Sequence, residues 1–380
     1  MKEDCVWRGA MVDHVKKVVV MRSNPKDSAL VKILIPLSKN YKVDCYIWDR
    51  QKDFSPLIEN ANITYKKCTI PSGYYNVWTI IKILFFDMWL FIKLIFCRFD
   101  YIHSIDLDTG VVALMLAKLK NKPFIYQCLD PYYANLPSNW PGLLGKLAMR
   151  LENYIITKSD LFIITDYFRM PQHVGANPKT IVEFPNVPID LPIMENPEDS
   201  DFILGYIGSL VEGRNLLTII KTVGELENEG IRLIIGGFGP LEETIKNKSL
   251  KYKNISFIGW IPYNKVLNLE NSFHVMIHTT DPESPGQKWV SPNKLFESMA
   301  LGKPIIVSEG TLSAKRVDML KCGLIVQYGS EMELKGAILQ LKNNKNLAKE
   351  LGSRGKEEFS RNWNWGVTEK KLLEAYSRIR

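Results

Sequence analysis

In the stretch SPNKLFESMALGKPIIVSEG, residues 291–310, a single carboxylate, Glu297, lies close to a helix start and follows Asn293 and Lys294. Ser-Pro opens that helix, and Leu295, Phe296, Met299, Ala300 and Leu301 give it an apolar face. Gly302 is its stop signal. Pro304 and the Ile305-Ile306-Val307 run then read as a short strand. The first amides of a helix have no partner within it, so its N-terminus accepts an anion. Two further loops repeat the theme. YIGSLVEGRN (206–215) is a strand, a turn at Gly208 and Ser209, and a helix start. Gly208 lets the backbone approach a phosphate, and Arg214 neutralises one. IIGGFGPLEE (234–243) places Gly236, Gly237, Gly239 and Pro240 before another helix. It lacks both the Gly-x-Gly-x-x-Gly spacing of a dinucleotide fold and the Walker pattern.

These loops need strands behind them. Residues 17–21, 43–48, 100–105, 124–129 and 161–165 are near-continuous apolar runs, separated by amphipathic segments such as DSALVKILIPLSKN and TGVVALMLAKLKNK. Strands of that kind are buried on both faces, which predicts parallel sheets covered by helices in an α/β fold. A polar, proline-rich passage, FPNVPIDLPIMENPEDSD (184–201), breaks the pattern. It resumes at 202–208, 231–237, 255–259, 273–278, 304–308 and 324–327. Two α/β domains are therefore expected, over residues 1–195 and 196–360. A ligand cleft lies between them at the carboxyl ends of the strands. Residues 361–380 form a last amphipathic helix, expected to pack back on the first domain.

The chain has 380 residues, 24% of them charged, and a formal charge of +8. That excess favours anionic partners. Six cysteines at 5, 45, 68, 97, 128 and 322 form no Cys-x-x-Cys pair and read as reduced thiols of a cytosolic protein. The N-terminus has mixed charge and no apolar core, so it is not read as a secretory signal. The run VWTIIKILFFDMWLFIKLIF (77–96) has the length of a membrane span, but Lys82, Asp87 and Lys93 interrupt it. Each would cost about 2.5–3.5 kcal/mol at mid-membrane. A crossover helix is expected there, with peripheral membrane contact over residues 74–98.

GSLVEGRN, IGGFGP, FIGWIP and SPNKLFESMALGKPIIVSEG, in that order, resemble the donor-binding half of glycosyltransferase family 4. Residues 21–50 and 100–127 resemble the family's first domain, so the resemblance covers nearly the whole chain. It implies the GT-B architecture: two Rossmann-like domains with parallel sheets facing a central cleft. It also implies a retaining transfer of sugar from a nucleotide-sugar, with a UDP-sugar favoured, to a glycan or lipid-linked acceptor. Glu297 is similar to the family's ribose-hydroxyl ligand. Asn293 and Lys294 would lie by the diphosphate, and Arg214 would neutralise the leaving group. In this fold that role replaces a metal, so no metal site or cofactor is expected. The implied donor site comprises Gly208, Ser209, Arg214, Gly237, Gly239, Trp260, Ser291, Asn293, Lys294 and Glu297. His103, Asp106 and Asp130 are expected to orient the acceptor hydroxyl, with Arg214 and Lys294 completing the reacting set.

The sequence departs from the family in places. Trp289 stands where the first glutamate of the family motif would be, with Glu283 in the loop before it. Ser209 replaces an arginine, and Ile105 replaces the second histidine of a His-x-His. Asp106 and Asp108 form an Asp-x-Asp, but Asp108 before Thr109-Gly110 reads as a helix N-cap. A sugar-nucleotide 2-epimerase or a glycan-binding scaffold are the rival readings. The epimerase would need a cluster of carboxylates and histidines, and none is evident among the chain's five histidines. No nucleic-acid partner is expected. The expected location is cytoplasmic, at the inner face of the cell membrane.

Overall fold

A computed structural model of the chain describes residues 15–25, 28–56, 58–72, 77–135, 142–191, 201–291 and 293–379. Seven strands form the first sheet: β1 Lys17–Arg22, β2 Lys42–Trp48, β3 Ile63–Cys68, β4 Tyr101–Ile105, β5 Phe124–Cys128, β6 Leu161–Ile164 and β7 Ile181–Glu183. Their order is β3-β2-β1-β4-β5-β6-β7, and neighbours run parallel. Six strands form the second: β8 Phe202–Ser209, β9 Ile231–Phe238, β10 Ile255–Phe257, β11 Val275–His278, β12 Ile305–Ser308 and β13 Gly323–Val326. Their order is β10-β9-β8-β11-β12-β13, again parallel throughout. The two-domain α/β fold with parallel sheets is the GT-B architecture expected.

The strand order reverses between β1 and β4 and between β8 and β11. At such switch points the loops leaving the strands diverge and open a crevice. The central strands β4, β5, β6, β11 and β12 are buried at every residue, which explains their apolar sequences. β3 and β7 were not expected. β3 is an edge strand whose ITYKKC sequence stays largely in solvent, so it lacks the apolar run that marks a buried strand. β7 has three residues.

The boundary expected at residue 195 and the first 14 residues lie outside the described residues. Two polar ties cross between the domains. Arg316, on the helix Leu312–Leu320, donates to Asp166 Oδ2 at 2.8 Å and to Glu183. Lys32, on the helix Ser28–Asn40, donates to Asn186, which donates to Asn293. The last helix, Trp365–Arg378, places Leu372, Ala375 and Tyr376 in the core of the first domain. Tyr376 Oη lies 2.7 Å from His103 Nδ1.

The helix Val77–Ile95 buries Phe86, Leu90 and Leu94, spaced one turn apart. Its other side exposes Ile81, Leu84, Phe85, Met88 and Ile92. Among the described residues no helix is long and apolar enough to cross a membrane.

Candidate donor site

The switch point of the second sheet brings the end of β8 beside the end of β11. Arg214, in the loop after β8, therefore meets His278, the last residue of β11, with Nη1 3.1 Å from Nε2. His278 is 4% exposed. Burial, then the charges of Arg214 and Lys294, hold its pKa well below the ordinary histidine value. The imidazole is neutral, and its Nε2 accepts from Arg214. Burial also lowers the Arg214 pKa, against the opposing influence of Tyr206 and of Asp130 across the cleft.

Next to this pair, the helix Asn293–Leu301 carries Lys294 and Glu297 one turn apart on one side. Lys294 Nζ donates to Glu297 Oε2 at 2.7 Å and to Glu270 Oε1 at 2.6 Å. Glu270 comes from the helix Tyr263–Asn271, and its side chain is wholly buried. Burial and the Glu297 charge push its pKa up to about 8, while Lys294 opposes the shift. Burial alone would lower the Lys294 pKa, but the two carboxyls outweigh it and keep the amine protonated. Among the described residues, four buried atoms here have no hydrogen-bond partner: Arg214 Nε, His278 Nδ1, Glu270 Oε2 and Glu297 Oε1. Open capacity of that kind is costly unless something else takes it up.

The glycines answer to backbone crowding. A Cβ on Gly237, at φ +137°, would sit 1.7 Å from Gly208 O, and one on Gly239, at φ +153°, 2.4 Å from Leu210 O. The close approach of β8 and β9 alone therefore requires them. Ser209 is exposed at the end of β8, and its carbonyl accepts from Tyr206 Oη at 2.7 Å. Trp260 is 63% exposed at the same edge of the sheet. Ser291 is half-buried before the helix that bears Glu297. Asn293 Oδ1 accepts from Asn186 Nδ2 at 2.6 Å. Trp289 lies under Lys315 Nζ, 5.6 Å from the ring centre, and Glu283 is exposed.

The first-domain residues separate. His103 is fully buried within β4, tied to Tyr376, and burial pushes its pKa down to about 3. It is a core contact and does not reach an acceptor. Asp106 accepts from Leu129 N at 2.8 Å and from Arg22. Asp106, not Asp108, occupies the N-cap of the helix Leu107–Lys120. Asp108 lies inside that helix and accepts from Ser23. Asp130 is 61% exposed and pairs with Arg169 at 3.0 Å. Of the three, Asp130 is the one that faces Arg214.

His278 and Glu270 escaped the sequence reading. His278 meets Arg214, and Glu270 and Glu297 meet Lys294 beside it. Their contacts do not leave them free for acid–base work: the imidazole accepts from Arg214, and both carboxyls hold Lys294. A histidine ending a strand next to the switch point was the available signal for His278. Glu270 closes a polar helix and carries none.

Comparisons with known proteins bear on this site. Residues 192–358 match the family model described as Glycosyl transferases group 1. Two relatives are uncharacterized glycosyltransferases of Methanocaldococcus jannaschii. One is 26% identical over 46% of this chain, and that match spans less than half of the relative, 45% of its length. The other is 27% identical over 70% of this chain and 72% of its own. Sucrose-phosphate synthase from Thermosynechococcus elongatus superposes with a TM-score of 0.76 at 14% identity, over 96% of this chain and 98% of that one. Anabaena HepE in complex with UDP and glucose gives a TM-score of 0.70 at 13% identity, over 95% and 99%. Residues 192–358 are thus similar to group 1 glycosyl transferases, and the chain shares the two-domain fold of these solved structures.

Proposed function

We propose that the chain is a retaining glycosyltransferase of family 4 that transfers sugar from a nucleotide-sugar, with a UDP-sugar favoured, to a glycan or lipid-linked acceptor. The observation that carries this reading is the buried cluster of Arg214, His278, Lys294, Glu270 and Glu297 at the carboxyl ends of β8 and β11. UDP bound to a protein of the same fold supports the choice of nucleotide.

The donor enters with its diphosphate toward Arg214 and the first turn of the helix Asn293–Leu301. Charge developing on the leaving diphosphate is stabilised by the guanidinium and the open amides. Lys294 holds Glu297 Oε2. The ribose diol takes its place there, and Lys294 turns to the diphosphate. Trp260 offers an exposed ring to the base, with Ser209, Ser291 and the Gly208, Gly237 and Gly239 backbone around it. Asp130 and Asp106 line the acceptor side. No step is assigned to a metal ion or cofactor.

The acceptor side extends onto a helical face. Beside the apolar side of Val77–Ile95, the helix Leu107–Lys120 exposes Met115 and Leu119. The helix Gly142–Lys158 exposes Leu143, Leu147, Leu151 and Tyr154 at helical spacing. Lys93, Lys118, Lys146, Arg150 and Lys158 lie exposed among them. Apolar side chains interleaved with cations fit an anionic membrane surface, which would place the enzyme at the inner face of the cell membrane.

Incubation with labelled UDP-sugars and a lipid or glycan extract is the test. Transfer of label to acceptor is expected. Appearance of the epimeric nucleotide-sugar alone would overturn the reading.

A further inference from the structure

Two cations stand in the candidate donor site, and their partners differ in charge. Lys294 is held by two carboxyl groups, at 2.6 and 2.7 Å. Arg214 is held by an imidazole, at 3.1 Å. We infer that His278 is a positioning residue that aims the Arg214 guanidinium at the donor diphosphate while leaving its charge uncompensated. The inference rests on the donor reading above and adds a residue to it.

An arginine in a crevice has to be held in place. Its side chain has many rotamers, and fixing it costs conformational entropy. A carboxylate would fix it most strongly, through charge-assisted bonds. It would also cancel the positive charge and compete with the phosphate for the same N–H groups. A neutral acceptor fixes the side chain and leaves the field intact. His278 meets both conditions. It ends β11 and pairs with Val307 of β12, so its backbone is set by the sheet. Its ring is buried, and Arg214 and Lys294 both disfavour a proton on it. Nη1 is taken by the ring, and Nε has no partner. A guanidinium held at one edge with donors remaining is arranged to receive an anion bidentately. Lys294 has to exchange partners before it can do the same.

The positioning role predicts a selective effect. Loss of the Nε2 acceptor should weaken binding of ligands that carry the diphosphate and spare those that lack it. Glutamine places its amide oxygen near the position of Nε2, whereas asparagine falls short of it. Leucine fills the space with no acceptor.

The experiment is calorimetric titration of the full chain and of His278→Leu, His278→Asn and His278→Gln with UDP and with uridine. Melting temperatures are recorded alongside. Binding of UDP to the unaltered chain tests the donor reading itself. With that binding present, the Leu and Asn variants are expected to bind UDP about tenfold more weakly, the scale of one hydrogen bond to a charged group. Their uridine affinity should be unchanged, and Gln should restore UDP affinity to within about threefold. If the Leu variant does not fold, the difference between Asn and Gln decides. UDP affinity equal to that of the unaltered chain in Leu or Asn, or equal losses for UDP and uridine, would overturn the inference.

Discussion

Asn186 Nδ2 donates to Asn293 Oδ1 across 2.6 Å and ties the chain leaving the first sheet to the first residue of the helix that carries Lys294 and Glu297. The same Asn186 accepts from Lys32 of the first domain. Asn186→Ala removes both contacts, one of them to Asn293 of the proposed donor site. A loss of about 1–3 kcal/mol in stability is expected, the scale of hydrogen bonds lost at part-buried polar groups. UDP binding should weaken only a few-fold. Thermal unfolding and titration of the same variant check the two effects together.

Glu297→Ala should weaken UDP binding by about ten- to a hundredfold, because charge-assisted hydrogen bonds to a diol are worth about 1.5–3 kcal/mol. Glu297→Gln should lose less, since an amide oxygen still accepts. The fold should survive without ligand, because Lys294 keeps its hydrogen bond to Glu270. Wild-type affinity in the alanine variant would remove Glu297 from the site.

Glu152 sets a pH dependence of stability. Its side chain accepts from Tyr126 Oη at 2.7 Å and from Tyr132 N at 3.1 Å. Burial pushes its pKa up to about 7. The folded state therefore keeps a proton that the unfolded chain releases near pH 4.5. Stability from this group is complete below that pH and falls as pH rises toward 7, by about 3 kcal/mol in all. Glu152→Gln should flatten the decline of melting temperature between pH 5 and 7. An unaltered slope would assign the decline to other groups.

Turnover is expected to persist in excess EDTA, because the groups proposed to meet the diphosphate are cationic side chains and helix amides. Loss of activity with chelator, restored by Mg²⁺ or Mn²⁺, would require a different account of leaving-group stabilisation.

Vesicles rich in anionic lipid should carry the protein upward in a flotation gradient, and neutral vesicles should carry less. Replacing Leu147 and Leu151 together by serine should reduce flotation without changing UDP affinity. Equal recovery of the protein and its variant would leave the helical face without a membrane role.

The architecture was largely legible because central parallel strands must be apolar on both faces. The runs at β1, β4 and β12 are therefore nearly coextensive with the observed elements. β3 was invisible for the opposite reason: an edge strand needs no apolar face. Loops that carry glycine and a cation drew attention to Arg214, Lys294 and Glu297, and the fold does bring these three near one another. Their partners were not legible. Glu270 and His278 lie 24 and 64 residues along the chain from the groups they hold, and only the fold brings them together. His103 was misread because a histidine near a strand end looks the same in sequence whether it faces the cleft or, as here, the final helix.

The contact between His103 and Tyr376 joins residues 273 positions apart, and it also bears on biosynthesis. The first domain is translated early, yet Leu372, Ala375, Tyr376 and Ile379 of its core are made long after its strands. At about 5–20 residues per second, roughly 14–55 s separate the synthesis of the two partners. During that interval the nascent first domain lacks a wall of its core, and the apolar side chains of the helix Ser28–Asn40 await their cover. The emerging polypeptide therefore needs shelter until the helix Trp365–Arg378 has been made, and a stop codon before that helix would damage the part of the protein made first.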